Sequence, residues 1–157
     1  MKIIFLDFDG VMDTATYCSY LERQGLPECD SNGRPNFDPE CISNLKRIVD
    51  NTNADIVVSS DWKYIDSYTD LLEMWSERNM PGFMTDLTPN VSKHRGSEID
   101  QWLKECKTVC NYVIIDNLGE TSFNVHQLER LITINPSKDL TETDAIQAIT
   151  ILKNEAN

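Results

Sequence analysis

The sequence has no long basic run, no long apolar run and no CxxC pair of cysteines. Its 157 residues include 14 Lys and Arg against 26 Asp and Glu, which gives a net charge of −12. This balance disfavours stable binding to a nucleic-acid duplex, because duplex-binding proteins usually present a basic face. No stretch approaches the roughly 18 apolar residues that a membrane-spanning helix needs, so we expect no membrane partner.

The five cysteines are irregularly spaced and include no CxxC motif. A structural zinc site is therefore not expected. An odd number of cysteines without a pairing pattern is typical of a reduced protein, so we expect a cytoplasmic location. Apolar residues make up 40% of the chain, which is enough for the core of one domain. We predict a single domain over residues 1–157, and the sequence leaves its oligomeric state open.

Strand-like and helix-like segments alternate along the chain. Short apolar segments at 2–8, 55–59, 83–87, 111–115 and 130–134 are typical of buried strands. Helical patterns begin at Asp38-Pro39, cover 62–78 and 99–106, and resume at Thr141 with a capping-box sequence. This alternation predicts an α/β fold, a three-layer α/β/α Rossmann-like parallel sheet of about five strands.

Residues 12–37 have no clean periodicity and contain two glycines and two prolines. A loop of this length in a compact domain is often functional. We therefore treat residues 12–37 as an insertion that forms a short flap over the site.

Polar residues with ligand chemistry follow three of the predicted strands. They are Asp7 and Asp9 after the first strand, Ser59 and Ser60 after the second, and Asp116, Asn117 and Glu120 after the fourth. Ligands bind at the carboxyl ends of strands in open α/β sheets. An Asp-x-Asp-Gly sequence alone could be an ordinary turn. A third carboxylate at the same edge instead favours a hard cation such as Mg²⁺, since clustered carboxylates repel one another.

The nonapeptide Ile3–Val11, IIFLDFDGV, resembles the first motif of the haloacid dehalogenase-like (HAD) superfamily. A hydroxyl residue, a basic residue and an acidic motif follow in the order found in that superfamily. The resemblance runs from Lys2 to Asp116 and beyond. It implies a HAD-like hydrolase domain of the small phosphatase type, which uses Mg²⁺ as its cofactor.

The resemblance implies separate roles for the first two acids. Asp7 would be the nucleophile that forms an aspartyl-phosphate, and its side chain would bind the metal. Asp9 would be the general acid and base, and its backbone carbonyl would also contact the metal. An acid at position 9 favours phosphatase chemistry over the transport and dehalogenation reactions of other members.

The remaining motifs are shorter, and each leaves an alternative open. The run SSDWK resembles the second motif and selects Ser60 for binding the phosphoryl group, with Ser59 as its competitor. Helix capping is a second role open to both serines. In the third motif, Arg95 is the first choice for binding phosphate and Lys93 the second. In the fourth, Asp116 fits as a metal ligand, and its partner is either Asn117 or Glu120, a departure from the usual second acid.

The spacing of these motifs leaves no room for a full cap domain. The resemblance therefore implies a capless enzyme that acts on a large or openly accessible phosphorylated substrate of unknown identity. Small relatives resemble phosphatases of nucleic-acid end healing, so a terminal phosphate is one possible substrate, although the acidity of the chain disfavours nucleic acid. The alternative function is a non-catalytic HAD-like domain that binds metal or phosphate or acts in regulation.

Overall fold

The computed structural model describes residues 1–108 and 111–154. Five parallel strands form one sheet in the order β3-β2-β1-β4-β5. The strands are β1 (Lys2–Leu6), β2 (Asp55–Val58), β3 (Met84–Leu87), β4 (Asn111–Asp116) and β5 (Leu131–Thr133). Because β1 lies at the centre of the sheet, between β2 and β4, the residues that follow its carboxyl end lie next to the residues that follow β2 and β4.

Within residues 1–108 and 111–154, five α-helices and three short 3₁₀ helices connect or flank the strands. The α-helices are α1 (Ala15–Arg23), α2 (Pro39–Thr52), α3 (Tyr68–Glu77), α4 (Arg95–Glu105) and α5 (Glu142–Lys153). The 3₁₀ helices are Asp61–Tyr64, Glu120–Ser122 and Val125–Arg130. Two predicted helix starts are confirmed: the Asp38 side chain caps α2, and Thr141 with Asp144 forms the capping box of α5. None of the helices in the described ranges is both long and apolar enough to cross a membrane.

Alternate side chains of β1 enter two separate cores. Ile4 and Leu6 pack with residues of α2, α3 and α5 on one face of the sheet. Ile3 and Phe5 pack on the other face with residues of α4 and of the 3₁₀ segments. A strand buried on both faces is the expected product of an unbroken apolar run. The predicted three-layer α/β/α fold is therefore confirmed.

The single helix predicted over residues 62–78 is wrong. The chain instead forms the 3₁₀ helix Asp61–Tyr64 and then starts again at α3. Ser67 and Asp70 make a capping box that begins α3, and Ile65 between the two helices is 88% exposed. The break leaves residues 59–64 close to the carboxyl edge of the sheet.

Residues 12–37 contain more structure than their sequence pattern predicts. Thr14 caps α1, in which Leu21 is the buried residue. Two arginines tie the segment to α3 and its flanks: Arg34 makes two hydrogen bonds to Asp66, and Arg78 donates to Asp30. The segment also forms part of a cavity of about 380 Å³ whose lining includes the Asp9 loop. Its role as a flap stays a prediction.

Candidate active site

Two buried carboxylates lie at the carboxyl edge of the sheet. Asp7 directly follows β1, and its N–H donates to the Ile115 carbonyl oxygen at 3.0 Å. Asp116 is the last residue of the neighbouring strand β4. The exposed fraction is 5% for Asp7 and 0% for Asp116. The parallel register of β1 and β4 therefore places two acids side by side where little solvent reaches them.

Arg95, the first residue of α4, lies between these two carboxylates. Its Nη1 atom is 3.1 Å from Oδ2 of Asp116 and 3.4 Å from Oδ1 of Asp7. Its Nη2 atom donates to Oδ1 of Asp61 at 2.9 Å. One guanidinium thus joins segments that follow three different strands. The structure brings Arg95 together with Asp7 and Asp116, and it adds Asp61, which the sequence reasoning did not select.

This cluster carries more negative than positive charge. Burial raises the pKa of Asp7, and the nearby Arg95 opposes that rise. Burial and the charge of Asp7 raise the pKa of Asp116 to about 7, again against the effect of Arg95. Burial lowers the pKa of Arg95, but the surrounding carboxylates outweigh it and the net pKa is raised. Two buried acids and one guanidinium leave a charge that a further cation would balance.

Asp9 differs from Asp7 because it is exposed. Its Oδ1 atom accepts a hydrogen bond of 2.8 Å from Nε1 of Trp62. The Trp62 ring is held by Phe8 and Phe37, with ring centroids 5.0 Å and 5.7 Å away. The Trp62 ring is buried. Its indole N–H additionally orients the carboxylate of Asp9.

Asp13 is a second residue that the sequence reasoning missed. Its Oδ1 atom accepts from the Gly10 N–H at 2.9 Å, while its buried Oδ2 atom receives no hydrogen bond from a donor in the described chain. Burial and the neighbouring Asp9 side chain raise the pKa of Asp13 to about 8. The signal was available in the sequence, since Asp13 closes the same short turn as Asp9.

The two candidate serines are both fully buried but differ in their partners. The Ser60 hydroxyl accepts from the Trp62 N–H at 3.3 Å and caps the 3₁₀ helix. The Ser59 hydroxyl finds no hydrogen-bond partner among the described residues. A buried hydroxyl without a partner is costly, so Ser59 is the one with unused hydrogen-bonding capacity. Which serine binds phosphate stays open.

Three predicted site residues lie outside the buried cluster. Lys93 is exposed and lines a neighbouring cavity. Glu120 is exposed at the start of a 3₁₀ helix, and across residues 1–108 and 111–154 no hydrogen bond or ion pair joins it to Asp7 or Asp116. The Asn117 side chain packs so closely against Gly10 that a Cβ at that glycine would collide with it. The two candidates of the fourth motif are Asn117 and Glu120. Of these, it is Asn117 that lies against the Asp9 loop.

Lys63 is buried next to the cluster and was not selected from the sequence. Its ammonium donates to Oγ1 of Thr88 at 2.7 Å and forms an ion pair with Glu98 of α4. Burial lowers the pKa of Lys63, and Glu98 opposes this effect. The run SSDWK thus supplies Asp61, Trp62 and Lys63 as well as the two serines. The sequence signal for these residues was three consecutive polar or aromatic side chains shortly after a buried strand.

The described residues include no group of three or more His, Cys, Asp or Glu side chains that could hold a metal ion by themselves. The arrangement expected from the sequence uses the carboxylates of Asp7 and Asp116, the backbone carbonyl of Asp9, and an oxygen of either Asn117 or Glu120. An ion at such a site relies on oxygen donors other than side-chain carboxylates, a set that Mg²⁺ accepts because it usually keeps several water ligands. The donor set and its uncompensated charge therefore fit Mg²⁺.

Comparison with known proteins identifies the family of this chain. No curated protein and no solved structure was found to match it. Residues 3–145 match the family described as the HAD domain in Swiss Army Knife RNA repair proteins. The match covers the strand and helix segments that carry Asp7, Asp61, Arg95 and Asp116. The chain belongs to this family, and hence to the HAD-like superfamily.

Proposed function

We propose that this chain is a Mg²⁺-dependent phosphomonoester hydrolase that forms an aspartyl-phosphate on Asp7. The observation that carries the proposal is the placement of Arg95 between two buried carboxylates, Asp7 and Asp116. A guanidinium at this position can hold the oxygens of a phosphoryl group against the nucleophile. Membership of a HAD family supports hydrolase chemistry.

The side chains of Asp7 and Asp116, with the Asp9 carbonyl, would hold the Mg²⁺ ion. Asn117, which lies against Gly10, is better placed than the exposed Glu120 to complete the set. When bound, Mg²⁺ supplies a Lewis acid that neutralises charge on the phosphoryl group. The nearby Arg95 guanidinium opposes the rise in the pKa of Asp7 and so favours its ionised form, which is the form that attacks.

The protein residues divide the two half-reactions between them. The Asp7 carboxylate attacks phosphorus, the ester P–O bond breaks, and Asp9 gives a proton to the leaving oxygen. Asp9, now a carboxylate, takes a proton from a water molecule that attacks the acyl phosphate. Inorganic phosphate leaves and Asp7 is regenerated. Trp62 holds Asp9 in position through both half-reactions.

The substrate we propose is a terminal phosphate on a nucleic-acid strand. The family description, which refers to RNA repair proteins, supports this class of substrate. The net charge of −12 disfavours a broad duplex interface. An end phosphate requires only a local pocket, which is consistent with an acidic chain.

The thiols of Cys18, Cys29 and Cys41 are free, which supports a reducing, cytoplasmic location.

The test is hydrolysis of an aryl phosphate with and without Mg²⁺ by purified protein. We expect activity that is lost with a chelator and falls at least about 10³-fold in Asp7→Asn, because the covalent path is removed. Asp50→Asn, at an exposed carboxylate on α2, is the matched control and should retain full activity. Equal turnover by Asp7→Asn and wild type would rule out Asp7 as the nucleophile.

One observation favours the alternative of a non-catalytic binding domain. The fourth motif has Asn117 where a second acid is usual, and Glu120 is exposed, whereas Asp7 and Asp116 are buried. Under this alternative the protein would bind Mg²⁺ or phosphate, measured by titration calorimetry, without turning over a broad panel of phosphomonoesters. Turnover that depends on Asp7 would exclude it.

A further inference from the structure

A cavity of about 600 Å³ opens beside the buried cluster, and the proposed chemistry does not use it. It is lined by Asp61, Tyr64, Asn90, Val91, Ser92 and Lys93. Asp61 is also the hydrogen-bond partner of Arg95, whose other nitrogen contacts Asp7. Arg95 therefore links Asp61, at the wall of the cavity, to the Asp7 carboxylate that would attack phosphorus.

Tyr64 gives this cavity a ring held in a fixed position. Its hydroxyl lies 3.0 Å from Oε1 of Glu98 and 3.3 Å from the Ser92 carbonyl oxygen, so one proton serves two acceptors. The Lys63 ammonium lies 5.3 Å from the ring centroid. Half of Tyr64 is nevertheless exposed. A held and exposed aromatic ring is a surface on which a flat ring can stack.

Lys93 and Val91 give the cavity a cationic and an apolar wall. Lys93 is exposed, and within the described ranges no carboxylate forms an ion pair with it. Val91 is 62% exposed, although it is apolar. An available ammonium in a chain with a net charge of −12 is a local site for an anion. Asp61, which also lines the cavity, forms an ion pair with Arg95.

We infer that this cavity is the subsite for the leaving group, and that it takes a base and a second phosphate. The inference rests on the proposed function and adds the part of the substrate that is recognised. The base stacks on Tyr64, the second phosphate pairs with Lys93, and the phosphate to be removed is bound by Arg95 next to Asp7. Both a strand end and a free nucleoside bisphosphate carry this chemistry. Lys93 thus binds a phosphate other than the one transferred.

The activity test compares four substrates: a 5′-phosphorylated dinucleotide, a 3′-phosphorylated dinucleotide, a nucleoside 3′,5′-bisphosphate and glycerol phosphate. We expect wild type to prefer a nucleotide substrate, and Tyr64→Leu and Lys93→Gln each to reduce that preference about tenfold in kcat/KM. Tyr68→Leu on α3 and Lys46→Gln on α2 are matched controls that should keep it. Preference for a dinucleotide over the bisphosphate assigns the subsite to strand ends, and the reverse assigns it to free nucleotides.

A binding test separates the inference from the proposed function. The same nucleotides are titrated against Asp7→Asn protein, which would bind substrate without consuming it. Weaker binding in the Tyr64→Leu and Lys93→Gln backgrounds supports the subsite even if wild type hydrolyses nothing, in which case only the proposed function fails. Active wild type with unchanged preference and unchanged binding in both variants overturns the subsite alone.

Discussion

The Lys63 ammonium and the Glu98 carboxylate form an ion pair from which water is excluded, with side chains 1% and 2% exposed. Lys63 lies two residues after Asp61, and Glu98 lies one helical turn after Arg95. The pair therefore connects the segment after β2 to the first turn of α4, the two segments that carry the Asp61–Arg95 contact. It fixes the position of the guanidinium without touching it.

Removal of one partner of this pair should destabilise the protein strongly. Lys63→Met leaves the Glu98 carboxylate buried without its cation, and we expect a loss of about 3–5 kcal/mol in the free energy of unfolding. The exposed pair Lys46–Asp50 on α2 provides the control, since Lys46→Met should change stability by less than about 0.5 kcal/mol. Urea denaturation of both variants measures the difference. Similar losses in the two variants would contradict the structural role.

The hydrogen bond from Trp62 to Asp9 should matter for turnover. Trp62→Phe keeps an aromatic ring between Phe8 and Phe37 but removes the N–H donor, and we expect kcat to fall about tenfold or more. Trp75→Phe is the control, because the Trp75 N–H donates to the Gly82 carbonyl oxygen, outside the cluster. Steady-state kinetics on an aryl phosphate measures kcat of both variants and of wild type. Unchanged kcat in Trp62→Phe would show that Asp9 does not need this donor.

Asp116 should make stability depend on pH when metal is absent. Its pKa is raised from 3.8 to about 7, chiefly by burial, so the folded protein binds a proton that the unfolded chain releases in this range. In the presence of a chelator, the free energy of unfolding should therefore fall as pH rises from about 4 to about 7. The slope from this one proton is at most about 1.4 kcal/mol per pH unit. Mg²⁺ should restore stability at neutral pH.

Asp116→Asn tests this dependence, because the amide has no charge to bury. Between pH 4 and pH 7 the slope should be smaller in the variant than in wild type, and Asp7 and Asp13, whose pKa values are also raised, should account for the slope that remains. Added Mg²⁺ should stabilise the variant less than wild type. Asp50→Asn, at an exposed site, should leave the slope unchanged. Equal slopes for Asp116→Asn and wild type would argue against an acid with a raised pKa at this position.

Gly10 should tolerate a side chain poorly for two separable reasons. Its φ is +74°, where alanine costs about 1–2 kcal/mol, and a Cβ would collide with the Asn117 amide. Gly25 has a φ of +65° but open space around it, so Gly25→Ala pays only the backbone cost. We expect Gly10→Ala to lose more stability than Gly25→Ala in urea denaturation. The double variant Gly10→Ala with Asn117→Ala should recover the excess, and no recovery would mean that the collision is not with Asn117.

Local signals predicted much of this fold, and long-range contacts account for what they missed. The apolar run before Asp7 and the caps at Asp38 and Thr141 act within a few residues, so their effects were visible in the sequence. The break before α3 was visible too, in the capping box that Ser67 begins, but the apolar spacing of Ile65 masked it. Helix α1 was missed because one residue, Leu21, carries its buried face.

The candidate site divides in the same way. The acids after β1 and β4 follow from strand ends, which a sequence displays. The contact of Arg95 with Asp61 joins residues 34 positions apart, and the bond from Trp62 to Asp9 joins residues 53 apart. Such pairs depend on where α4 and the 3₁₀ helix pack, and no spacing rule encodes that. The Trp62 ring packs against Phe8 and Phe37, whereas its N–H acts through one distant partner, Asp9.

The strand order has a consequence for how such a domain can diversify. The carboxylates of the candidate site lie at the ends of the three inner strands β1, β2 and β4, and Arg95 begins α4: the acids are Asp7, Asp61 and Asp116. The cavity residues Asn90–Lys93 lie instead in the connection that follows the edge strand β3. An edge connection can lengthen or change its residues without altering the register of the inner strands. Changes at residues 90–93 can therefore alter what the cavity binds without moving Asp7, Asp61 or Asp116.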